Sequence, residues 1–182
     1  MLGAAAFLLV VLEPSHAAAF GNQWHAGAKG GLAMQSNSFL VQEGQVQPYE
    51  KDLGWGVGAH GAYALSDMFD AELELLGTHN GSSLGTSTDV MAATAGVAYK
   101  VDILRVVPYA GLLGGYYHWG GAPGPNGESG SAVGASFQIG ADFLLTREVA
   151  LSLDYRWHFS FKEEFYAPLR TLMLGAEYRW DF

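Results

Sequence analysis

The sequence predicts an all-β fold: one eight-stranded antiparallel up-and-down β-barrel that spans a membrane as a single domain. Two observations predict it. Apolar and polar residues alternate along successive segments of roughly ten residues, which is the period of a strand with one apolar face. The connections between these segments are alternately short and long, which is typical of transmembrane barrels.

The alternation is clearest over residues 149–161. One face is wholly apolar and carries Val149, Leu151, Leu153, Tyr155, Trp157, Phe159 and Phe161. The other face is polar or small and carries Ala150, Ser152, Asp154, Arg156, His158 and Ser160. The same alternation predicts strands over 24–34, 53–65, 69–78, 107–119, 133–145 and 172–182. The Ala-rich segment 89–100 is assigned as a strand mainly by its position.

The predicted connections fall into two classes. The short ones, which face the periplasm in barrels of this type, are 66–68, 101–106 and 146–148. The long ones, which face outward, are 35–52, 80–88, 120–130 and 162–169. Since no linker separates the strands, we expect one barrel domain over residues 20–182.

The apolar faces are expected to meet lipid, because aromatic residues gather on them as they do at membrane interfaces. These aromatics are Trp55, Tyr109, Tyr117, Trp119, Tyr155, Trp157, Tyr178, Trp180 and Phe182. In segment 107–119 this interpretation places Leu113 on the lipid side as well and His118 in the lumen. A soluble lipocalin-like barrel is the alternative, but it would have to bury all these aromatics in one small cavity.

Composition excludes several function classes. The chain has 18 Asp and Glu residues against 9 Lys and Arg residues, for a net charge of −9. An acidic chain without a basic stripe is a poor candidate for nucleic-acid binding. The chain has no Cys, which rules out disulfides and thiolate chemistry. Six His residues without close spacing predict no metal site, and we expect no cofactor.

The first residues predict a signal peptide over 1–19. An apolar run over 2–12 is followed by Pro14 and then by the small residues Ala17, Ala18 and Ala19, which suit cleavage after export. The run is too short to cross a bilayer as a helix, which takes about 20 apolar residues. A buried N-terminal helix is the alternative interpretation.

The terminal run 174–182, Leu-Gly-Ala-Glu-Tyr-Arg-Trp-Asp-Phe, resembles the C-terminal signature of bacterial outer-membrane barrels. The plan from Trp24 onward resembles the OmpA/OmpX-like small barrel superfamily, without the periplasmic domain of OmpA. The resemblance implies a bacterial outer-membrane location and an insertion signal made by Tyr178, Trp180 and Phe182, which the barrel-insertion machinery would recognise. Outer-membrane lipid and lipopolysaccharide are the other expected partners, and we expect a monomer.

The polar faces predict a charged lumen. Its expected members are Lys29, Glu72, Glu74, Asp142, Asp154, Arg156, Glu177 and Arg179, with His25, His60, His118 and His158 beside them. Charges inside a narrow barrel have to pair or meet water. A register with Arg156 opposite Glu177 and Asp154 opposite Arg179 makes two cross-strand pairs of opposite sign. A structural salt-bridge network is the favoured interpretation, and a narrow gated channel is an alternative.

His158 and Ser160 form a His-x-Ser pair on one face, which resembles the pair of PagL-like lipid A deacylases. The resemblance implies that His158 activates Ser160, with Glu163 or Glu164 as a possible carboxylate. The chain departs from that family's pattern, having Phe161 where the family has Asn and Leu172 where it has Glu. The sequence therefore predicts a non-enzymatic barrel with a structural or surface-interaction role, and the deacylase stays an alternative.

Overall fold

A computed structural model describes residues 22–37, 41–42, 45–46, 50–81, 87–101, 105–121, 129–161 and 168–181. The predicted signal peptide over 1–19, together with Phe182, Glu163 and Glu164, lies outside these residues. No helix long and apolar enough to cross a membrane occurs within them.

Eight long strands form a closed antiparallel barrel, which confirms the predicted fold class. They are β1 (Gln23–Asn37), β4 (Glu50–Ser66), β5 (Phe69–Gly81), β6 (Ser87–Lys100), β7 (Val106–Gly120), β8 (Gly130–Leu144), β9 (Val149–Ser160) and β10 (Leu169–Asp181). Two further strands, β2 (Val41–Gln42) and β3 (Gln45–Val46), pair with each other outside the barrel. Several strands extend beyond their predicted ends toward the long loops, because their last residues no longer alternate in hydrophobicity.

The barrel closes between its first and last strands. β1 pairs with β10 in an antiparallel register that runs from Gln23 opposite Asp181 to Gln35 opposite Leu169. On its other side β1 pairs with β4, and every later strand pairs with the next. Closure matters in lipid, since an open edge would leave backbone N–H and C=O groups without partners.

Most strands face the way the alternation predicts. On β10, Leu172, Leu174 and Tyr178 are exposed on the outer wall, whereas Glu177 and Arg179 are buried inside. The same division holds on β1, β4, β5, β8 and β9. The outer wall is therefore mainly apolar, which suits the hydrocarbon of a bilayer.

Strand β7 corrects the sequence-based assignment. Leu113, Tyr117 and Trp119 are buried in the lumen, and Tyr109 lines an internal cavity. His118, expected inside, is exposed on the outer wall. The outward residues of β7 include Leu112 and Tyr116, which are 65% and 55% exposed. A shift of one residue exchanges the two faces of a strand, and β7 is apolar in both phases.

The lumen has two different halves. The half near the long loops contains an apolar layer made by Ala33, Leu76, Val90, Ala92, Tyr117, Trp119, Ala132, Leu169 and Met173. Buried polar side chains such as Gln35, Asn80 and Thr171 lie in the same half. The other half, near the short turns, holds the buried charged side chains. The barrel interior is therefore a packed core, as expected when eight strands leave room only for side chains.

Candidate functional site

The structure places all eight predicted lumenal charges on inward-facing positions. Seven of them are buried and Glu72 is half-buried. Two more charged residues, Asp70 and Lys100, join them and were missing from the predicted network. Lys100 ends the Ala-rich strand β6, where the alternation gave little signal, and its inward position follows only from the register of the closed barrel.

Four side chains in the middle of the lumen form what we call the central cluster: Lys29, Glu74, Asp154 and Arg156. Nζ of Lys29 contacts the Glu74 carboxylate and lies 3.1 Å from Oδ2 of Asp154. Nη2 of Arg156 lies 2.7 Å from Oε2 of Glu74, and its Nε lies 3.3 Å from Oδ1 of Asp154. Each cation therefore meets both carboxylates, which offsets the cost of burying four charges.

A second group, the turn-side cluster, lies nearer the short turns. Its five members are Asp70, Lys100, Asp142, Glu177 and Arg179. Arg179 donates to Asp142 at 2.8 Å and to Glu177 at 2.5 Å. Lys100 lies 2.6 Å from Asp70 and 3.5 Å from Asp142. These contacts join β5, β6, β8 and β10 at this end of the barrel.

Two histidines extend the turn-side cluster. Nε2 of His60 lies 3.0 Å from Oε2 of Glu177. Nδ1 of His25 lies 3.6 Å from Asp70 and 3.7 Å from Glu177. The two imidazoles therefore fill the space between carboxylates from β5 and β10 and the wall made by β1 and β4.

A small cavity lies beside both clusters. Its volume is about 20 Å³, and Tyr109 and Ser152 are among its lining residues. Beside it, Nε2 of Gln138 donates to Glu72 at 2.5 Å. A cavity of this size holds about one water molecule, so it has no room for a larger solute.

The predicted register between β9 and β10 is wrong. Arg156 is opposite Thr171, and Glu177 is opposite Ala150. Asp154 is opposite Met173 rather than Arg179. The oppositely charged side chains pair across the lumen instead of along one sheet face, because an eight-stranded barrel is narrow enough for long side chains to reach the far wall.

His158 and Ser160 both face the lumen and are buried. Nδ1 of His158 lies 3.2 Å from the hydroxyl of Tyr117, and Nε2 lies 3.4 Å from Oγ1 of Thr171. The Tyr117 ring also meets the imidazole edge-on, with 5.8 Å between the ring centroids. His158 is therefore a packed part of the interior, next to the apolar layer.

Two of the three residues of the predicted insertion signal are described, and both lie on the outer wall. Tyr178 is 55% exposed, and its ring stacks on that of Trp180 with 6.0 Å between centroids. Within the described residues, no group of three His, Cys, Asp or Glu side chains is placed to hold a metal ion.

Residues 4–180 match the family model of the outer membrane protein beta-barrel domain. The chain belongs to this family. The closed eight-stranded barrel, with its mainly apolar outer wall, agrees with this family. The protein resides in the bacterial outer membrane. The expected membership of the small outer-membrane barrels is confirmed.

Solved structures of other outer-membrane proteins share the fold. Neisserial surface protein A (NspA) has a TM-score of 0.68 and 16% identity, with 85% of this chain and 96% of that chain covered. The N-terminal β-barrel domain of Pseudomonas aeruginosa OprF has a TM-score of 0.58 and 12% identity, covering 88% and 98%. Ail, the attachment invasion locus protein of Yersinia pestis, has a TM-score of 0.53 and 18% identity, covering 86% and 98%. No curated protein sequence matches the chain.

Proposed function

We propose that the protein is a non-enzymatic, non-conducting outer-membrane barrel that acts through its outer surface, while its lumen serves as a folded core. The observation that carries this proposal is the filling of the lumen in both halves. The central and turn-side clusters occupy one half, and the apolar layer occupies the other. A narrow gated channel would need an open polar path, and the packing of Tyr117, Trp119 and Met173 inside the lumen argues against one.

Planar-bilayer recording of the purified, folded protein tests this proposal. We expect no conductance steps at any applied voltage, with a known porin in the same bilayer as the positive control. Folding is checked first by the shift between unboiled and boiled samples on a gel. Regular steps from folded protein would contradict the proposal and favour the channel.

The outer surface is the remaining place for a function. The long loops lie at the end of the barrel that faces outward in this class, and loops on a rigid scaffold commonly carry binding residues. Two similar folds are named for surface roles, a surface protein in Neisseria and an attachment invasion locus protein in Yersinia pestis. We therefore assign a surface-interaction role to the long loops.

A loop-replacement variant tests this role. Residues 122–128 and 162–167 are replaced by Gly/Ser segments of equal length, which leaves the barrel strands intact. We expect bacteria that display this variant to bind host cells or matrix proteins less than bacteria that display the original chain, at equal surface levels. Equal binding by both would place the function elsewhere.

Assembly is proposed to depend on the C-terminal aromatic row. Tyr178 and Trp180 present their rings on the outer wall of the closing strand, where the insertion machinery would meet them together with Phe182. We expect Phe182→Ala to lower the heat-modifiable fraction in outer membranes and to raise the unassembled fraction. An unchanged ratio would remove Phe182 from the signal.

The lipid A deacylase alternative has less support. Both nitrogens of His158 lie against Tyr117 and Thr171 inside the barrel, and the continuous wall separates Ser160 from the surrounding lipid. Mass spectrometry of lipid A, from cells with the gene and from cells with a His158→Ala copy, tests it directly. We expect identical acyl patterns, and a missing acyl chain that depends on His158 would overturn the non-enzymatic assignment.

A further inference from the structure

A groove of about 510 Å³ lies on the outer wall, across strands β4 to β7. Small residues form its floor, including Ala59, Gly77 and Ala93. A Cβ built on Gly77 would meet no atom within 4 Å, so the missing side chain leaves open space. Larger neighbours rise beside this floor, and Met91 and Tyr116 are 66% and 55% exposed. The wall is therefore concave here, although a barrel surface is convex overall.

The groove is polar at one end only. His118 lines it, and Nδ1 of His118 lies 2.9 Å from Oγ of Ser131. Met91 on β6 is opposite His118. Two residues farther along β6, toward the long loops, Oδ1 of Asp89 lies 2.6 Å from Nδ1 of His79. These hydrogen-bonding groups mark the outer end, where lipid head groups begin.

Toward the short turns the same wall is apolar. Leu73, Val97 and Leu112 are 58%, 46% and 65% exposed there. The surface thus offers hydrocarbon contacts along its length and hydrogen-bonding groups above them. This polarity fits an amphiphile whose head lies at the outer interface, which is the orientation of an outer-leaflet lipid.

We propose that this groove retains one acyl chain of lipid A, the lipid part of lipopolysaccharide, with its head group beside His118 and the His79–Asp89 pair. The volume falls within the roughly 300–1,000 Å³ typical of small-molecule sites. A flexible chain gains dispersion contacts in a concavity that a flat wall cannot offer. This site is independent of the lumen and of the long-loop role proposed above.

A second copy of the chain fits the groove less well. Stable protein interfaces bury roughly 1,200–2,000 Å² in total, and two convex barrels touch along a narrow line. A convex wall would also leave the floor at Gly77 unfilled. A single hydrocarbon chain can follow the floor and meet both sides of the groove.

Native mass spectrometry of the folded protein in micelles tests the proposal, with purified lipid A as the probe and phosphatidylethanolamine as the comparison lipid. The original chain is expected to retain one lipid A molecule in preference to phosphatidylethanolamine. Gly77→Leu fills the floor and is expected to lose that species. Gly114→Leu is the matched control, because Gly114 is exposed on the outer wall outside the groove, and a Cβ built there would lie 3.9 Å from the carbonyl oxygen of Gly134.

Each variant is first shown to fold by its heat-dependent gel shift. If Gly77→Leu does not fold, Ala93→Leu fills the same floor from the next strand. Three results would overturn the proposal: no preferential retention of lipid A by the original chain, equal retention by the groove variant and the Gly114→Leu control, or loss in both. A dimer that forms with the original chain and disappears with Gly77→Leu would assign the groove to a second copy and overturn it as well.

Discussion

Glu74 and Arg156 meet across the full width of the barrel. Nη2 of Arg156 lies 2.7 Å from Oε2 of Glu74, although their strands, β5 and β9, are separated by three strands in either direction around the closed sheet. The same carboxylate contacts Lys29 on β1. One buried glutamate therefore links three walls of the barrel and contacts two cations, whose charge it balances together with Asp154.

We expect Glu74→Gln to lower the free energy of unfolding by about 3–5 kcal/mol, the usual result of leaving a buried charge without its partner. Urea unfolding of the protein in lipid vesicles measures it. Asp89→Asn is the matched control, because the His79–Asp89 pair is exposed and such pairs contribute about 0–1 kcal/mol. Equal losses from the two variants would show that the central cluster does not stabilise the barrel.

The coupling between the two residues can be measured separately. Arg156→Met removes the second charge and keeps much of the side-chain volume. In the Glu74→Gln background, we expect it to cost less than it costs alone, because residues of one charge network are not additive. A double-mutant cycle in the same vesicles gives the coupling energy. Strictly additive losses would mean that the 2.7 Å contact contributes nothing of its own.

Tyr117 fills the apolar layer, and its removal should leave a cavity. We expect Tyr117→Ala to cost about 3–5 kcal/mol of unfolding free energy, as large-to-small aromatic substitutions in cores do. The neighbouring Tyr116→Ala is the control, because Tyr116 faces lipid on the same strand and is 55% exposed. If Tyr116→Ala proved the more damaging change, the inward assignment of Tyr117 would be wrong.

The prediction from sequence succeeded where one phase of a strand is clearly apolar. Strand β9 is such a case, since Leu151 and Leu153 alternate with Ser152 and Asp154. It failed on β7, where both phases are apolar and the aromatic-rich row faces the lumen instead of lipid. The inner row there carries Tyr117 and belongs to the apolar layer, whose members come from several strands and leave no local pattern.

The sequence predicts which charged residues belong to the lumenal network better than it predicts which of them contact each other. Inward alternation identifies Glu74 and Arg156 one strand at a time. The contact between them depends on the stagger between strands and on the narrow width of the closed barrel. Neither property can be predicted from the sequence of one strand alone. Opposite charge also predicts a wrong cross-strand register, with Arg156 opposite Glu177. The residue opposite Arg156 is Thr171, and Glu177 lies six positions farther along β10, in the turn-side cluster.

The register of β9 and β10 can be tested with introduced cysteines, since the chain has none of its own. Tyr155 and Leu172 are directly opposite on the outer wall. We expect Tyr155→Cys with Leu172→Cys to form a disulfide in the folded protein under mild oxidation, detected by gel migration without reductant. Directly opposite residues lie within the Cα separation of about 4.4–6.8 Å that a disulfide requires.

The control pair is Tyr155→Cys with Tyr178→Cys, which the sequence-based register would place opposite each other. In the structure Tyr178 lies six residues along β10 from the partner of Tyr155. At about 3.3–3.4 Å per residue, the distance along the strand is roughly 20 Å, so this pair should not cross-link in the folded barrel. Oxidation of the control pair together with failure of the Tyr155–Leu172 pair would restore the register that pairs Arg156 with Glu177, and would remove the cross-lumen arrangement of the central cluster.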